Sequence, residues 1–541
     1  MKMESIVIPA MNDFASLYIE QKEPVKGFFH YDITENAVFE KRYKDVMERR
    51  FNREALTTCI ANYLERFPTS VETKKSLEKL RHEQSTVVIG GQQAGLLTGP
   101  LYTIHKIISI LKLAEQQEKN LGTPVVPVFW IAGEDHDFLE INHVYAETGQ
   151  SMKKINFPTQ SGLKQMASDI YYDKEELQKW VETIFMHFGE RKHTKELIAS
   201  ILEASAHSRT ITDFFSYLIM SLFKNYGLLV MDAADPNLRN LEKPFFSKMI
   251  DQASLITEKV LTQQKAIKDH GFSRMIDIHG QSANLFLYKG KERLLLDYDP
   301  ETDRFTSEKS DLQINRKNLQ EWLQREPATF SNNVVTRPLM QESLFPSLAF
   351  IAGPGEIAYW GELKQAFELW NMNMPPLVPR INITFLTSSI ERDLNDLQLS
   401  LSDVIEKGTE KEKQGYFDTV TDREFYTILD GISQYLDERY QTIFERLNKN
   451  RGLLPLAQKN LAFHFKQIDF LKNKADQFMK EKHQYELEKY ERIERHLRPN
   501  GSPQERIWNI YYYINDRGEE FIHQLMELPF EFDGKHKIVK I

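Results

Sequence analysis

The sequence predicts an α/β fold: a doubly wound parallel sheet with insertions, followed by an α-helical coiled-coil arm. Short apolar runs alternate with helical patterns over residues 1–385, as in such a sheet. Two stretches, about 146–205 and about 240–330, interrupt this alternation and are predicted to be insertions. Heptad spacing over 386–498 predicts the coiled coil. Residues 499–541 are expected to pack back on the sheet domain.

The predicted sheet rests on four apolar runs, each followed by polar turn residues and a helical pattern. The runs are 85–90, 124–133, 227–235 and 346–353. After the first run, apolar residues recur at helical spacing from Ile104 to Leu111, which predicts strand, glycine turn and helix in that order. Within the second insertion, "SANLFLYKGKERLLLDYD" predicts a β-hairpin.

The coiled-coil prediction rests on three apolar runs flanked by Glu, Lys and Arg, at 390–404, 425–447 and 461–485. The third helix is predicted over about 455–498, because "RPNGSP" then stops it, and a last helix follows at "QERIWNIYYYIN". We expect the arm to join two copies into a homodimer. A helical hairpin within one chain is the alternative.

Composition narrows the function classes. The chain has 541 residues, enough for about three or four domains. Its formal charge of −9 repels a phosphate backbone, so we predict no nucleic-acid partner. The single cysteine, Cys59, excludes an intrachain disulfide and a cysteine-based metal cluster. No apolar run reaches about 18 residues and "MKMESIVIPAMNDF" lacks a signal-peptide core, so we expect a cytoplasmic protein without a membrane partner.

The stretch "VVIGGQQAGLLTGPLYTIHK" predicts an anion site after the first strand. It matches neither the dinucleotide fingerprint nor the P-loop. Glycines still let backbone N–H groups approach a ligand, and a helix N-terminus attracts anions. Thr98 is expected to cap the helix and Pro100 to lie in its first turn. The candidate ligand-binding residues here are Gln92, Gln93, Gly95, His105 and Lys106, and a tight packing turn is the alternative.

The second strand ends at "GEDHDF", which places Glu134, Asp135 and His136 at the sheet edge where ligands bind. These groups suit a general base, a ribose contact or Mg²⁺ ligands, and a solvated capping turn is the alternative. A zinc site on Glu134, His136 and His143 fits no standard spacing, so no metal centre is predicted.

A third group lies at "VVTRPLMQES" and "AGPGEIAYWGEL". Arg337 is a lone cation in a strand-like run, suited to a phosphate or carboxylate. Gly353, Gly355 and Glu356 form a second turn from strand to helix. Three strand ends therefore offer ligand-binding groups, as a nucleotide-dependent site would require.

At these motifs the sequence resembles the cysteine-adding enzyme family of bacillithiol biosynthesis. The resemblance covers the whole chain through "GGQQAGLLTGPLYTIHK", "FWIAGEDHDFLEI", "AGPGEIAYWGELK" and the coiled-coil tail. It implies a Rossmann-like core with inserted connecting-peptide-like segments and a coiled coil that favours a dimer. It also implies a ligase that joins L-cysteine to glucosaminyl-malate through an amide.

The implied chemistry needs an activated carboxyl, so we expect an ATP/ADP-type nucleotide, with Mg²⁺ as a candidate ion. His105, Lys106 and Arg337 are predicted to stabilise the developing charge, and Asp135 or His136 to accept the amine proton. "TGPLYTIHK" also resembles the His-containing signature of class I aminoacyl-tRNA synthetases, matched only at His105. The alternatives are a nucleotide-binding interaction protein on a degenerate synthetase-like core and a tRNA-binding synthetase relative, which the net acidity opposes.

A second nucleotide pocket is predicted at the root of the arm, where the chain leaves and re-enters the sheet domain. Aromatic faces suit an adenine, arginines suit phosphates, and a helix N-terminus adds N–H donors. Packing of the arm against the core is the alternative. The residues are Thr384, Phe385, Leu386, Tyr490, Arg506 and Trp508.

Overall fold

A computed structural model describes residues 1–149, 151–158, 165–290, 292–448 and 452–541. The chain forms two compact units. The first contains Met1–Phe385 and Gln504–Ile541, and the second contains Leu386–Pro503. Within the described ranges, no helix is long and apolar enough to cross a membrane.

The strands of the described residues belong to four sheets. In chain order they are β1 (Lys2–Ile6), β2 (Thr86–Gln92), β3 (Val125–Ile131), β4 (His143–Thr148), β5 (Ser151–Asn156), β6 (Leu229–Asp232), β7 (Ser282–Lys289), β8 (Glu292–Asp299), β9 (Arg304–Ser307), β10 (Ser310–Asn315), β11 (Phe330–Asn332), β12 (Ser347–Ala352), β13 (Leu377–Pro379), β14 (Ile383–Leu386) and β15 (His536–Lys540).

Helices account for most of the remaining described chain. In the first unit they are α1 (Asp13–Ile19), α2 (Val38–Met47), α3 (Arg53–Leu64), α4 (Val71–Arg81), α5 (Leu101–Leu121), α6 (Phe138–Ile141), α7 (Lys174–Phe188), α8 (Thr194–Ala206), α9 (Ile211–Phe223), α10 (Pro236–Asp251), α11 (Ala253–Asp269), α12 (Arg316–Arg325), α13 (Thr336–Leu344), α14 (Pro354–Trp360) and α15 (Lys364–Leu369). The second unit contains α16 (Ser388–Asp396), α17 (Leu401–Lys407), α18 (Glu410–Val420), α19 (Arg423–Leu447), α20 (Leu454–Lys482) and α21 (Gln484–Leu497). The first unit ends with α22 (Gln504–Ile507), α23 (Ile510–Arg517) and α24 (Glu520–Met526).

A parallel sheet in the order β13-β12-β2-β3-β6 forms the centre of the first unit. The four predicted runs are β2, β3, β6 and β12, so the predicted parallel sheet is confirmed. Its strands are buried almost throughout, as strands covered by helices on both faces must be. The strand order reverses between β2 and β12, and such a switch point leaves a crevice at the carboxyl ends of the strands.

The insertions contain antiparallel structure. The predicted hairpin is β7–β8, and it belongs to a sheet in the order β10-β9-β8-β7-β11. A separate two-stranded hairpin joins β4 and β5. At the other end of the chain, β15 pairs antiparallel with β1, so the last residues close a sheet with the first.

Three local predictions were wrong. Arg337 lies in the first turn of helix α13, where Pro338 is tolerated, and not in a strand. Thr98 makes no cap, because Pro100 occupies the N-cap position of α5. The predicted last helix is broken into α22 and α23, because Asn509 is extended and its side chain caps α23 by accepting a hydrogen bond from the Tyr511 N–H.

The second unit is helical, as predicted. Helices α19 and α20 run antiparallel and pair side by side: Lys472 Nζ lies 2.6 Å from Asp430 Oδ1, and the Tyr440 hydroxyl donates to Asn460. The continuous helix predicted over about 455–498 is interrupted at His483, between α20 and α21. The heptad run at 390–404 likewise forms two helices, α16 and α17.

Candidate active site

A cavity of about 650 Å³ lies in the first unit at the carboxyl ends of β2, β3 and β12. Side chains from α5, from the β7–β8 hairpin and from the segment between β11 and α13 complete its wall. Most of the predicted residues line it: Gln92, Gln93, Lys106, Glu134, Asp135, His136, Arg337, Gly353, Gly355 and Glu356. The three strand ends therefore meet at one site, while the roles predicted for these residues stay predictions.

Close backbone packing positions the first strand end. A Cβ atom on Gly91 would lie 2.6 Å from the Trp130 carbonyl oxygen on the neighbouring strand, so only glycine fits there. The Gly91 carbonyl accepts a hydrogen bond from Lys106 Nζ at 2.7 Å. This bond directs the ammonium group of α5 to the end of β2.

Lys106, which is buried, and Glu356, which is half-buried, form an ion pair at 2.5 Å. The Glu356 carboxylate also accepts a 2.8 Å hydrogen bond from the Gly353 N–H, which fixes the start of α14. Burial lowers the pKa of Lys106, and the Glu356 carboxylate opposes that shift. The pair links two strand ends and holds the ammonium group in one orientation.

Asp135 presents a half-buried carboxylate of the acidic turn to the cavity. Its Oδ2 accepts a 2.7 Å hydrogen bond from Gln93 Nε2, and its Oδ1 accepts one of 2.7 Å from the His136 N–H. Its side chain is 34% exposed, whereas that of Glu134 is 5% exposed and paired with Arg239. Asp135 can therefore accept a proton from a ligand, while Glu134 is held by the buried guanidinium.

A second layer supports this turn. The Ser168 N–H donates to the Gly133 carbonyl at 3.0 Å, and the Ala167 N–H donates to the Asp135 carbonyl at 2.8 Å. Ser168 Oγ donates to Asp232 at 2.5 Å. Burial raises the pKa of Asp232 to about 7, although hydrogen bonds from Ser168 and Ala234 lower it. A carboxyl that is readily protonated therefore lies directly behind the turn.

Arginines on the cavity differ in their partners. Arg380 is neutralised by Glu505, with contacts of 2.9 Å and 2.7 Å. In the described part of the chain, no carboxylate lies within ion-pairing distance of Arg293, Arg337 or Arg506, which line the same cavity. Such cations favour an anionic ligand.

The prediction that His105 lies on the cavity is wrong. Its ring is fully buried, Nδ1 lies 3.3 Å from Glu505, and the ring packs edge-on against Phe385. The predicted helix is present as α5, but it turns the His105 side chain toward the C-terminal segment. Glu505 links His105 to the cavity, because it also holds Arg380.

Gly95 lines a separate small cavity of about 10 Å³ beside Gly99, Pro100 and His143. Gln93, Tyr102 and Glu140 border both cavities. Gly95 does not line the main cavity, because its loop folds back on itself. A Cβ on Gly95 would lie 2.7 Å from Gly99 Cα. The glycine allows this close approach within the loop.

The residues predicted for a second nucleotide pocket belong to both units, so a pocket built from them stays a prediction. In the first unit, Thr384 Oγ1 lies 2.7 Å from His536 Nε2, and Phe385 is fully buried. Trp508 is 2% exposed and packs on Tyr512. Arg506 lines the main cavity. In the second unit, Leu386 is buried and Tyr490 packs near Tyr416.

Several residues that line the cavity were not predicted from the sequence, most clearly Arg293, Asn332, Tyr359 and Arg380. Arg293 follows a charged stretch, Lys289 to Glu292, so the sequence did not set it apart, and the hairpin was treated only as an insertion. Arg380 follows β13, a strand too short to stand out in the sequence. Among the described residues, no group of three or more His, Cys, Asp or Glu side chains could hold a metal ion.

The chain is similar to known proteins along its whole length. Residues 1–381 match the N-terminal Rossmann-like domain of bacillithiol biosynthesis BshC, and residues 383–541 match its C-terminal coiled-coil domain. Relatives named "Putative cysteine ligase BshC" occur in Geobacillus sp. (strain WCH70) and Geobacillus kaustophilus (strain HTA426). They are 41% identical to this chain over 542 and 540 residues, with 100% of each chain covered.

These matches agree with the predicted family and the predicted Rossmann-like and coiled-coil architecture. The names of the relatives agree with the predicted ligase class. The chain therefore belongs to the bacillithiol biosynthesis BshC family, whose relatives are named as cysteine ligases, enzymes that form carbon–nitrogen bonds.

Proposed function

We propose that this protein joins the carboxyl group of L-cysteine to the amine of glucosaminyl-malate, after an ATP-type nucleotide has activated that carboxyl. One observation carries the proposal: an accessible carboxylate, Asp135, lies on the same cavity as arginines that have no carboxylate partner among the described residues. A base for the amine and cations for anionic substrates are the two requirements of this chemistry.

Charge stabilisation is assigned to Lys106 and Arg337. Negative charge develops on the oxygens of the carboxyl as it is activated and again as the amine attacks. Glu356 and the Gly91 carbonyl hold the Lys106 ammonium group in place, and Arg337 donates to the Tyr359 hydroxyl. Donors fixed in advance cost little reorganisation during the reaction, which makes them effective in catalysis.

Amide formation then transfers one proton. The amine nitrogen attacks the activated carbonyl carbon, the C–N bond forms, and the C–O bond to the phosphate-type leaving group breaks. Asp135 or His136 takes the proton released by the amine. The hydrogen bonds from Gln93 and the His136 N–H hold the Asp135 carboxylate in one orientation. The proposal covers both an adenylate and an acyl phosphate as the intermediate.

The nucleotide has two candidate positions. One is the strand-end cavity, where Arg337 and Arg506 can contact phosphates. The other is the predicted second pocket at Thr384–Leu386, Tyr490 and Trp508. Crystals soaked with ADP decide between them, because density at only one position excludes the other. We propose Mg²⁺ only as an ion that binds together with the nucleotide.

We further propose that two copies associate through the second unit and act in the cytoplasm. Several large apolar side chains on α19 and α20 are exposed although these helices pair within the chain, which supports a further packing partner. They include Ile432 (45%), Tyr435 (56%), Phe463 (52%), Phe470 (56%), Leu471 (46%) and Phe478 (64%). A second copy offers the same apolar face.

The assay for the function uses the purified full chain with L-cysteine, glucosaminyl-malate and ATP. We expect bacillithiol by mass spectrometry, dependent on cysteine, together with release of a nucleotide product. Reactions without one component are the controls. No turnover with ATP or with any other activating donor would contradict the ligase proposal.

A further inference from the structure

Arg293 is a buried cation with no carboxylate within ion-pair distance among the described residues, although Glu134, Asp135 and Asp137 attract it from further away. It lies on β8 and is 6% exposed. Its guanidinium carbon lies 3.8 Å from the centre of the Phe286 ring. Its Nε donates to Ser331 Oγ at 3.0 Å, one terminal nitrogen donates to the Asn332 carbonyl, and the other lies 3.3 Å from His136 Nδ1. These partners orient the guanidinium but do not neutralise it.

Asn332 adjoins Arg293 and is also incompletely satisfied. The residue is 1% exposed, and its backbone N–H donates to Glu134 at 3.3 Å. In contrast, neither Oδ1 nor Nδ2 of its side-chain amide has a hydrogen-bond partner among the residues that the structure describes. Arg293 and Asn332 line the same cavity as Asp135.

These two observations point independently to a ligand. A buried charge without an ion partner is costly, and so is a buried amide without hydrogen bonds. A guanidinium offers N–H donors in a planar fork that matches a carboxylate. A side-chain amide offers one acceptor and one donor group, which together suit a hydroxyl group.

We infer that Arg293 and Asn332 form an acceptor subsite, in which Arg293 binds a carboxylate of glucosaminyl-malate and Asn332 binds a neighbouring hydroxyl. The identity of this ligand rests on the proposed function. Because Arg293 contacts His136, and the backbone of His136 holds Asp135, an acceptor bound here lies beside the proposed bases. The β7–β8 hairpin thereby contributes substrate recognition to the site.

Calorimetric titration of the full chain tests this subsite without requiring turnover. Glucosaminyl-malate, L-cysteine and ADP are titrated separately into wild type, R293M, R293K and N332A. The matched control is R325M, because Arg325 is exposed on α12 and does not line the cavity. We expect about 10- to 100-fold weaker acceptor binding for R293M and about 10-fold for N332A. R293K keeps the charge without the fork and should fall between R293M and wild type.

The expected result includes unchanged affinities for L-cysteine and ADP in all variants. Thermal unfolding without ligand adds a readout that separates recognition from structural support. R293K keeps the buried charge and its attraction to Glu134, Asp135 and Asp137, so its Tm should stay close to that of wild type. A structural role for the guanidinium hydrogen bonds to Ser331 and Asn332 predicts a lower Tm in R293K. If R293M does not fold, N332A and R293K still test the subsite.

Acceptor affinities equal to wild type in R293K and N332A would overturn the subsite alone. Loss of ADP affinity in place of acceptor affinity would assign Arg293 to a nucleotide phosphate and also overturn it. If wild-type protein binds no glucosaminyl-malate, this molecule is not the acceptor. That result would contradict both the proposed function and the subsite.

Discussion

At Asp135, the ligase and the nucleotide-binding interaction protein considered from the sequence predict different effects of mutation. With Asp135 as the base of the proposed ligase, Asp135→Asn should reduce the rate of amide formation by about 10²- to 10⁴-fold. A nucleotide-binding interaction protein tolerates the same change. The measurement is the rate of bacillithiol formation, together with L-cysteine affinity, which should stay close to wild type.

The control for this prediction is Asp137→Asn. Asp137 lies two residues further along the same turn and does not line the cavity. Wild-type rates in both variants would assign proton transfer to His136. Equal losses in both variants would indicate disruption of the whole turn.

Asp232 predicts a pH dependence of stability. Burial raises its pKa from the ordinary 3.8 to about 7. Between these values the native state holds a proton that the unfolded state has lost. The resulting stabilisation is complete below the unfolded pKa and is lost as the pH rises through about 7. Relative to D232N, wild type should lose about 1.4 kcal/mol of unfolding free energy per pH unit between pH ~4.5 and ~6.5.

Urea unfolding at several pH values measures this difference. The matched control is Asp269→Asn, at an exposed position at the end of α11, which should follow the wild-type curve. Parallel curves for wild type and D232N would show that Asp232 ionises alike in the native and unfolded states. Asp235, which raises its pKa, and Arg239, which lowers it, stay unchanged in both proteins.

The sequence could place residues that follow strands, but not the directions of all side chains on helices. Lys106, Asp135 and Glu356 were located because strand ends of a parallel sheet converge at one edge. His105 precedes Lys106 on α5, and its side chain packs toward Glu505, about 400 positions away in sequence. That partner comes from the C-terminal segment, whose position depends on tertiary packing that local spacing does not contain.

At the scale of elements, the turn after β3 depends on Gly133. A Cβ atom there would lie 2.1 Å from Ser168 Oγ and 2.2 Å from Asp232 Oδ1. We expect Gly133→Ala to lower the unfolding free energy by about 1–3 kcal/mol, because the turn must shift away from its support. Ligase activity should fall as well, because Asp135 lies on the same turn.

Gly280→Ala is the control, because nothing lies within 4 Å of its added Cβ atom. Chemical unfolding and the ligase assay measure the two effects. Unchanged stability in G133A would show that Ser168 and Asp232 move aside at little cost and do not hold the turn. Lost activity with intact stability would locate the effect in the position of Asp135.

Elements with long, regular patterns were predicted best. Four of the five strands of the parallel sheet, and the β7–β8 hairpin, agree with their apolar runs. The failures lie where a single residue changes the backbone: Pro338 permits a helix at a strand-like run, and Asn509 breaks the last helix. The Asn509 side chain donates to the carbonyls of Leu97 and Gly99, and the sequence around Asn509 does not reveal those partners.

At the scale of the whole molecule, the first unit requires both ends of the chain. The Phe385 N–H donates to Gln504 Oε1 at 2.8 Å, and Gln504 Nε2 donates back to the Phe385 carbonyl at 2.9 Å. Glu505 then holds Arg380, and β15 pairs with β1. Truncation after Leu386 would remove these contacts, so it would test the folding of the first unit together with association.

Replacing the second unit with a linker separates the folding of the first unit from the association of two chains. Because Phe385 and Gln504 are adjacent, a short Gly-Ser linker can replace residues 387–502 and leave the first unit complete. We expect wild type to have twice the mass of one chain by light scattering, and the linker protein to be a monomer. The linker protein should be a monomer because it lacks the exposed apolar side chains of α19 and α20.

Charge substitution on the intact chain supplies the matched comparison. Phe470→Glu combined with Phe478→Glu places charges at exposed apolar positions of α20, 56% and 64% exposed, and should favour the monomer. Lys466→Glu combined with Lys482→Glu alters charge on the same helix without removing apolar surface and should leave the dimer intact. Thermal unfolding checks that each variant is folded. A linker protein that stays dimeric would place the main interface in the first unit, and a monomeric wild type would exclude the dimer.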